Sequence, residues 1–291
     1  MKLRHILLLT FFFTLFARAA DDAKLPVLII DGQNNHDWKS TTPVLKDALE
    51  KSGRFTVEVS TTPGGKGTAE DWAKWRPEFS KYKAVVSNYN GAPWPQAVKT
   101  AFEEYVSGGG GFVCIHAANN SFPEWPAYNQ MIGLGGWGGR SEKSGPYVYV
   151  KDGALVKDTA PGAGGNHGAQ FEWTVDLFGE GREHPITKGL PESWKHCKDE
   201  LYDKLRGPAE NMKVLATSTS QVTKRPEPMI MVIDHGKGRV FHTPMGHADY
   251  SMKDVGFYTV VQRGTEWAAT GKVTIPLPEK FPTKDAVLPV K

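Results

Sequence analysis

The 291-residue sequence has a formal charge of +3 and only two cysteines, Cys114 and Cys197. The charge is small for this length and no Lys/Arg run is dense enough to follow phosphates, which argues against a nucleic-acid partner. Two thiols cannot build a disulfide framework, although one bridge between them is compatible with the sequence.

Residues 1–20 read as a cleavable secretory signal. Lys2 and Arg4 precede an apolar core from Ile6 to Phe16, and Ala17-Arg18-Ala19 stands just before Asp21 and Asp22. That core is short for a membrane span and no second such run follows, so the expected mature protein is periplasmic or secreted, without stable membrane insertion. About 270 residues remain, enough for one α/β domain over 21–275, with a loosely held tail over 276–291 rich in Pro and Lys. Nothing in the sequence fixes or excludes a homo-oligomer.

Leu25 to Asp31 predicts a first strand, followed by a polar loop carrying His36, Asp37 and Trp38 and a helix from about Thr42 to Lys51. Phe55 to Val59 alternates as a second strand, a Trp-bearing helix is expected around Asp71 to Trp75, and Ala84-Val85-Val86 makes a third strand ending in a polar tip with Asn90. An amphipathic helix from Gln96, with Val98, Phe102 and Val106 on one face, stops at Gly108 to Gly111. Phe112 to Ile115 then suits a strand buried on both faces, with His116 at its carboxyl end, where ligands of parallel sheets gather. This alternation predicts a doubly wound, mostly parallel sheet of flavodoxin-like type with long loop insertions.

Beyond it, Gly133 to Gly139 and the stretch from Lys157 to Gly168, which carries His167, are Gly-rich loops without dinucleotide-binding spacing. A strand is expected over Gln170 to Val175, a turn at Glu183 to Thr187, and short strands over Lys213 to Thr217, Met229 to Ile233 and Arg239 to Thr243. The last two are joined by a hairpin-like turn, and a final helix runs from about Val255 to Ala269.

The segments GGGGFVCIHAA, EHPITKGL, KDELYDKL and HGKGRVFHTPMGHADY, in that order, resemble the ThuA-like (trehalose-utilisation) family. Its fold is similar to that of class I glutamine amidotransferases. The likeness runs from Pro26 to about Gly271 and implies disaccharide metabolism, including sugars oxidised at the 3-position. It does not imply the amidotransferase nucleophile. The residue nearest the turn after the central strand is His116, whereas Cys114 lies within the strand, where a buried thiol is inert.

Imidazole and carboxylate are the chemistry on offer. His36, His116, His167, His196 and His247 are expected in loops or at strand ends, and Asp199 and Glu200 sit in the segment DELY. Imidazoles exchange protons near neutral pH, and a carboxylate partner fixes the tautomer. The catalytic candidates are accordingly His116, His247, Glu200 and Asp199, with His36, Asp37, Trp38, Asn90, His167 and Tyr202 for substrate. Of Asp199 and Glu200, one is expected to point outward, since neighbours on an extended segment alternate faces. Trp94, Trp125 and Trp137 are further stacking candidates for a small carbohydrate ligand, with core packing as the competing role. No motif indicates a cofactor. The same side chains also admit a divalent Zn, Mn or Fe ion, with no ligand set assigned because no H-E-x-x-H or H-x-H spacing occurs. Two other readings compete with a sugar-processing lyase, hydrolase or isomerase: a non-catalytic periplasmic sugar-binding or accessory protein, and a hydrolase using Cys114.

Overall fold

The computed structural model describes residues 23–291. The secretory signal expected over residues 1–20 lies outside them. In chain order the helices are α1 (Trp38–Lys51), α2 (Ala69–Lys74), α3 (Gln96–Ser107), α4 (Pro126–Ile132), α5 (Asp249–Met252) and α6 (Val255–Thr270). The strands are β1 (Leu25–Asp31), β2 (Phe55–Thr61), β3 (Ala84–Ser87), β4 (Gly111–Ile115), β5 (Tyr147–Lys151), β6 (Ala154–Asp158), β7 (Asn166–His167), β8 (Phe171–Leu177), β9 (Ser193–Asp199), β10 (Tyr202–Asp203), β11 (Met212–Thr219), β12 (Pro226–His235) and β13 (Gly238–Thr243).

Nine strands form the central sheet in the order β2-β1-β3-β4-β13-β12-β11-β8-β9. The first five run parallel and make the doubly wound, flavodoxin-like part. From β13 onward every neighbouring pair is antiparallel, an extension that the parallel pattern alone does not foretell. Because direction alternates across it, β9 points the same way as β4 and β13. The carboxyl ends of β1, β4, β9 and β13 therefore share one end of the sheet.

Strand β4 is central because both of its faces are buried. Phe112 and Cys114 face the core that includes Val98, Phe102 and Val106 of α3. Val113 and Ile115 face the other core, with Phe257, Val260 and Val261 of α6. Full burial of each large apolar side chain contributes about 1.5–3 kcal/mol, so β4 is anchored from two sides. The glycines before it serve this packing. Gly109 takes a φ of +121°, and a Cβ at Gly111 would come within 2.6 Å of the Ala268 carbonyl carbon on α6.

Helix α1 begins a turn before the expected Thr42, because the Asp37 side chain accepts the Ser40 N–H as N-cap and Pro43 is accommodated inside the helix. Strand β9 and the hairpin β5–β6 go beyond the elements expected from sequence. The hairpin turns at Asp152-Gly153, both at positive φ, which is a strong local hairpin signal. Residues 276–291 are also tied down: Thr283 accepts from the Lys195 N–H of β9, Leu288 accepts from Val255, and Val290 donates to Lys253.

Candidate functional site

Four loops deliver one cluster to the carboxyl end of the sheet. The loop after β1 crosses the tip of β3, where the Asn34 side chain donates to Asn88 O and accepts the His36 N–H. This places His36 beside the β1/β3 switch point, where doubly wound sheets bind ligands. At the end of β4 the chain turns sharply, and His116 is held at a φ of +43°, a left-handed conformation uncommon for a non-glycine residue. Strand β13, paired with β4, ends beside that turn, so Pro244 O accepts the His116 Nδ1 proton at 2.6 Å. Three residues on stands His247.

The fourth contribution comes from β9. After Asp199 the chain returns across the sheet end, so that the Tyr202 ring lies 4.1 Å from the His116 ring, centroid to centroid. Glu200 Oε2 sits 3.0 Å from His247 Nδ1 and 3.7 Å from His116 Nε2. The His36 ring is 4.8 Å from that of His116 and 4.4 Å from that of His247, and its Nε2 lies 3.1 Å from the Tyr202 hydroxyl. One donor atom from each of His36, His116, His247 and Glu200 falls within 4.8 Å of the others.

The electrostatics separate these groups. Burial pushes Glu200 towards the neutral acid, but the His116 and His247 imidazoles outweigh it and hold the carboxyl well below the usual range. Burial and the neighbouring His116 and His247 depress His36 to about 3, so it is neutral at physiological pH. At His247 the carboxylate of Glu200 overcomes burial and raises the pKa. The cluster is one anion facing imidazoles.

Asp199 does not enter it. Its carboxylate accepts the N–H groups of Glu200, Gly246 and His247 and pairs with His196 Nε2, with 0% exposure. It orients two site residues from beneath. Asp199 and Glu200 are both buried, contrary to the alternation argument, because β9 ends at Asp199 and its extended geometry with it. His196 lies inside β9, not in a loop or at a strand end, and Asp199 and Asp254 overcome its burial to raise its pKa to about 9.

The remaining candidates sort by place. His167 reaches the site because β7 pairs with β10, setting it opposite Tyr202; its Nδ1 is 3.9 Å from Glu200 Oε1 and it is exposed. Trp137 packs edge-on against Tyr202 at 4.6 Å. Asn90 donates to Asn35 in the His36 loop, Asp37 caps α1, and Trp38 is half-buried under the Lys39 ammonium. Trp94 and Trp125 are 3% and 4% exposed, packed with Tyr89, Phe102 and Phe122, and belong to the core instead of a stacking surface. Both cysteines are free, and burial pushes the Cys114 thiol far up, which removes it as a nucleophile at neutral pH.

Sequence reasoning passed over Pro244, Asp254 and Arg140. The Arg140 guanidinium is buried and donates to Asn120 O, Ser121 O and Gly136 O, bracing the turn that carries His116. A single arginine in a glycine-rich stretch gives no local sign of this. A cleft lined by Thr61, Lys66, Asp71, Lys74 and Trp75, about 490 Å³ in volume, shares no residue with the cluster. Its Asp71 is already engaged in capping α2.

A family model described as ThuA, trehalose utilisation, matches residues 26–268. The chain is similar to a crystal structure of a protein described as ThuA-like from Parabacteroides merdae, at 44% identity with a TM-score of 0.87, over 92% of this chain and 98% of that one. A second ThuA-like crystal structure, from Bacteroides uniformis, matches at 19% identity with a TM-score of 0.55, over 86% and 93% of the respective chains. It bears on the fold alone. No curated protein matches the chain.

Proposed function

The chain belongs to the ThuA family, and on that premise we propose that it is an exported enzyme that processes a disaccharide or its 3-keto derivative by imidazole and carboxylate acid–base chemistry. The observation that carries this reading is the convergence of His36, His116, His247 and Glu200 at the switch-point end of the sheet. Export rests on the residue pattern of positions 1–20.

The chemistry fits a 3-keto glycoside well. The hydrogen at C2 is acidic because it neighbours the C3 carbonyl. A base removes it, the C–H electron pair becomes the C1–C2 double bond, and the C1–O bond breaks with its electrons going to the departing oxygen, which takes up a proton. The His247–Glu200 pair, 3.0 Å apart, is the proton-accepting unit in this scheme, with His116 beside it. His167 on the rim is placed to return a proton, while Tyr202 and Trp137 offer ring surface for a pyranose. Asp199 is a positioning residue.

The test is to incubate the mature protein with trehalose and related disaccharides and with their 3-keto forms, following products by mass and NMR. Conversion of the keto form alone supports elimination assisted by the carbonyl. If no sugar changes while one raises the melting temperature, the protein is a binding protein and the enzymatic reading falls.

A further inference from the structure

We propose that His36, His116, His247 and Glu200 together hold one divalent transition-metal ion. The proposal rests on the same site as the sugar chemistry: with the ion bound, His247 and Glu200 would serve as ligands and proton transfer would fall to His167, whereas in the metal-free site the His247–Glu200 pair takes the proton directly. The ligand geometry is tested apart from turnover.

His116 Nε2, Glu200 Oε2 and His247 Nδ1 are all buried, and none makes a hydrogen bond. The 3.0 Å approach of His247 Nδ1 to Glu200 Oε2 lacks the alignment of a hydrogen bond, so it leaves both atoms unsatisfied. Orphaned buried polar atoms are costly, and three pointing at one place fit a shared electron-pair acceptor. His116 is 2% exposed and Glu200 8%, so bulk water does not satisfy them.

The tautomer of His116 points the same way. Its Nδ1 proton is donated to Pro244 O, so in the neutral ring the lone pair lies on Nε2, which faces Glu200. A ligating histidine characteristically gives its other ring N–H to a carbonyl or carboxylate in this way, which fixes the ring and makes the free nitrogen more basic. Asp199 supports the other side of the cluster by holding the backbone N–H groups of Glu200 and His247.

The four donor atoms lie within 4.8 Å of one another. Around zinc, with bonds of about 2.0–2.1 Å, tetrahedral donors stand roughly 3.4 Å apart, a contraction that side-chain rotation can supply. Three imidazoles with one carboxylate suit Zn2+, Mn2+ or Fe2+ and are a poor match for Mg2+ or Ca2+, which take oxygen ligands. The donors come from loops after β1, β4, β9 and β13, which is why no short spacing marks the site in the sequence. His167, whose Nδ1 donates to Gly168 O, remains outside the set at the rim. Among the described residues the other grouping of this kind, His196, Cys197 and Asp254, is engaged differently: Asp199 takes His196 Nε2, Ser251 O takes the Cys197 thiol, and Asp254 caps α6.

The experiment strips the full mature protein with chelator, then titrates it with Zn2+, Mn2+, Fe2+ and Mg2+, reading bound ion by elemental analysis and stability by thermal melting. About one transition-metal ion per chain is expected, with a raised melting temperature and no comparable response to Mg2+. His116→Gln and Glu200→Gln each remove a direct ligand and should weaken binding by more than the roughly 10- to 100-fold typical of losing an outer-shell partner. Cobalt(II) added to the unaltered protein gives a second readout that needs no variant, namely visible bands indicating nitrogen and oxygen ligation. Failure of the unaltered protein to bind any of these ions, or undiminished binding by folded His116→Gln and Glu200→Gln proteins, overturns the proposal. Ion stoichiometry is independent of turnover, so a failed sugar assay leaves this result standing, and the reverse holds too.

Discussion

His196 Nε2 lies 2.9 Å from Asp199 Oδ2, and both side chains have 0% exposure. The same carboxylate accepts three backbone N–H groups, from Glu200, Gly246 and His247. One buried ion pair thus fixes two site residues that come from distant parts of the chain. Asp199→Asn keeps the shape but turns an acceptor into a donor facing N–H groups. The expected result is a loss of about 3–5 kcal/mol in urea unfolding, the usual cost of breaking a buried pair, together with weaker activity at temperatures where the protein remains folded. A variant as stable and as active as the parent would show that Asp199 orients nothing.

Glu200→Gln separates the site from its support. Glu200 has its pKa depressed in the folded protein, against the push of its burial, because His116 and His247 surround it. Its ionised form therefore adds stability above its unfolded pKa, which is lost as pH falls through the folded value. At neutral pH the glutamine variant should lose roughly 1–3 kcal/mol and remain folded by circular dichroism. Turnover of a 3-keto glycoside should fall by on the order of 10²–10⁴, the usual weight of a positioned proton-transfer group. Folded Glu200→Gln and His116→Ala proteins with full turnover would remove the assignment.

Acid stability should report on His242. This side chain, 0% exposed, has Nδ1 2.8 Å from Ile132 O and Nε2 3.1 Å from the Asn119 amide nitrogen, so a neutral ring with its proton on Nδ1 satisfies both partners. Burial depresses its pKa to about 4. The unfolded chain takes up its proton near pH 6.5 and the folded chain does not until about 4, so stability is full above 6.5 and falls as pH drops between these values. The contribution is about 1.4 kcal/mol per pH unit for one such group. His242→Asn should reduce the pH slope of the unfolding free energy in that window by close to one proton. An unchanged slope would assign the effect to other histidines, such as His184, also depressed to about 4 by burial.

Thiol chemistry should be irrelevant to function. Cys114 has 0% exposure within β4, and the Cys197 thiol donates to Ser251 O at 3.2 Å. Mild alkylation of the native protein should leave Cys114 unmodified and any turnover intact, while the unfolded chain takes two groups by intact mass. Cys114→Ala should cost about 1 kcal/mol of packing and keep activity. Loss of activity that tracks modification of Cys114 would return the amidotransferase-like hydrolase to consideration.

The parts legible in sequence were those where one local signal decides. The run Phe112 to Ile115, bounded by glycines and by His116, has both faces in the core and its end in the site because nothing polar interrupts it. Strand β9 was not legible: in Ser193–Asp199 the buried positions include His196 and Asp199, two polar residues that satisfy each other only in three dimensions. The cluster itself was half legible. His116, His247 and Glu200 were recognisable as chemistry-bearing residue types, but their meeting depends on the antiparallel extension that brings β9 round to the same sheet end. Trp94 and Trp125 stay ambiguous in sequence for the converse reason, since an aromatic ring reads alike in a cleft and in a core, and their burial settles them as core.

The final segment offers the last test, because β9 is the edge strand of the sheet and residues 276–291 cover it. Thr283 O accepts the Lys195 N–H, and the Phe281 ring packs on Trp194 at 5.5 Å. Trp194 and His196 stand on the same face of β9, two residues apart, so a loosened Trp194 disturbs the base on which Asp199 is held. Val255 and Lys253, flanking the Asp254 that faces His196, are also bonded to the tail through Leu288 and Val290. Phe281→Ala should cost about 1–3 kcal/mol for a partly buried ring. Ending the chain before Pro276 should cost more, and should promote aggregation by leaving the β9 edge open to another chain. Thermal melting and light scattering read both effects. A shortened protein that melts with the full chain and stays monodisperse would show that the tail only rests on the sheet.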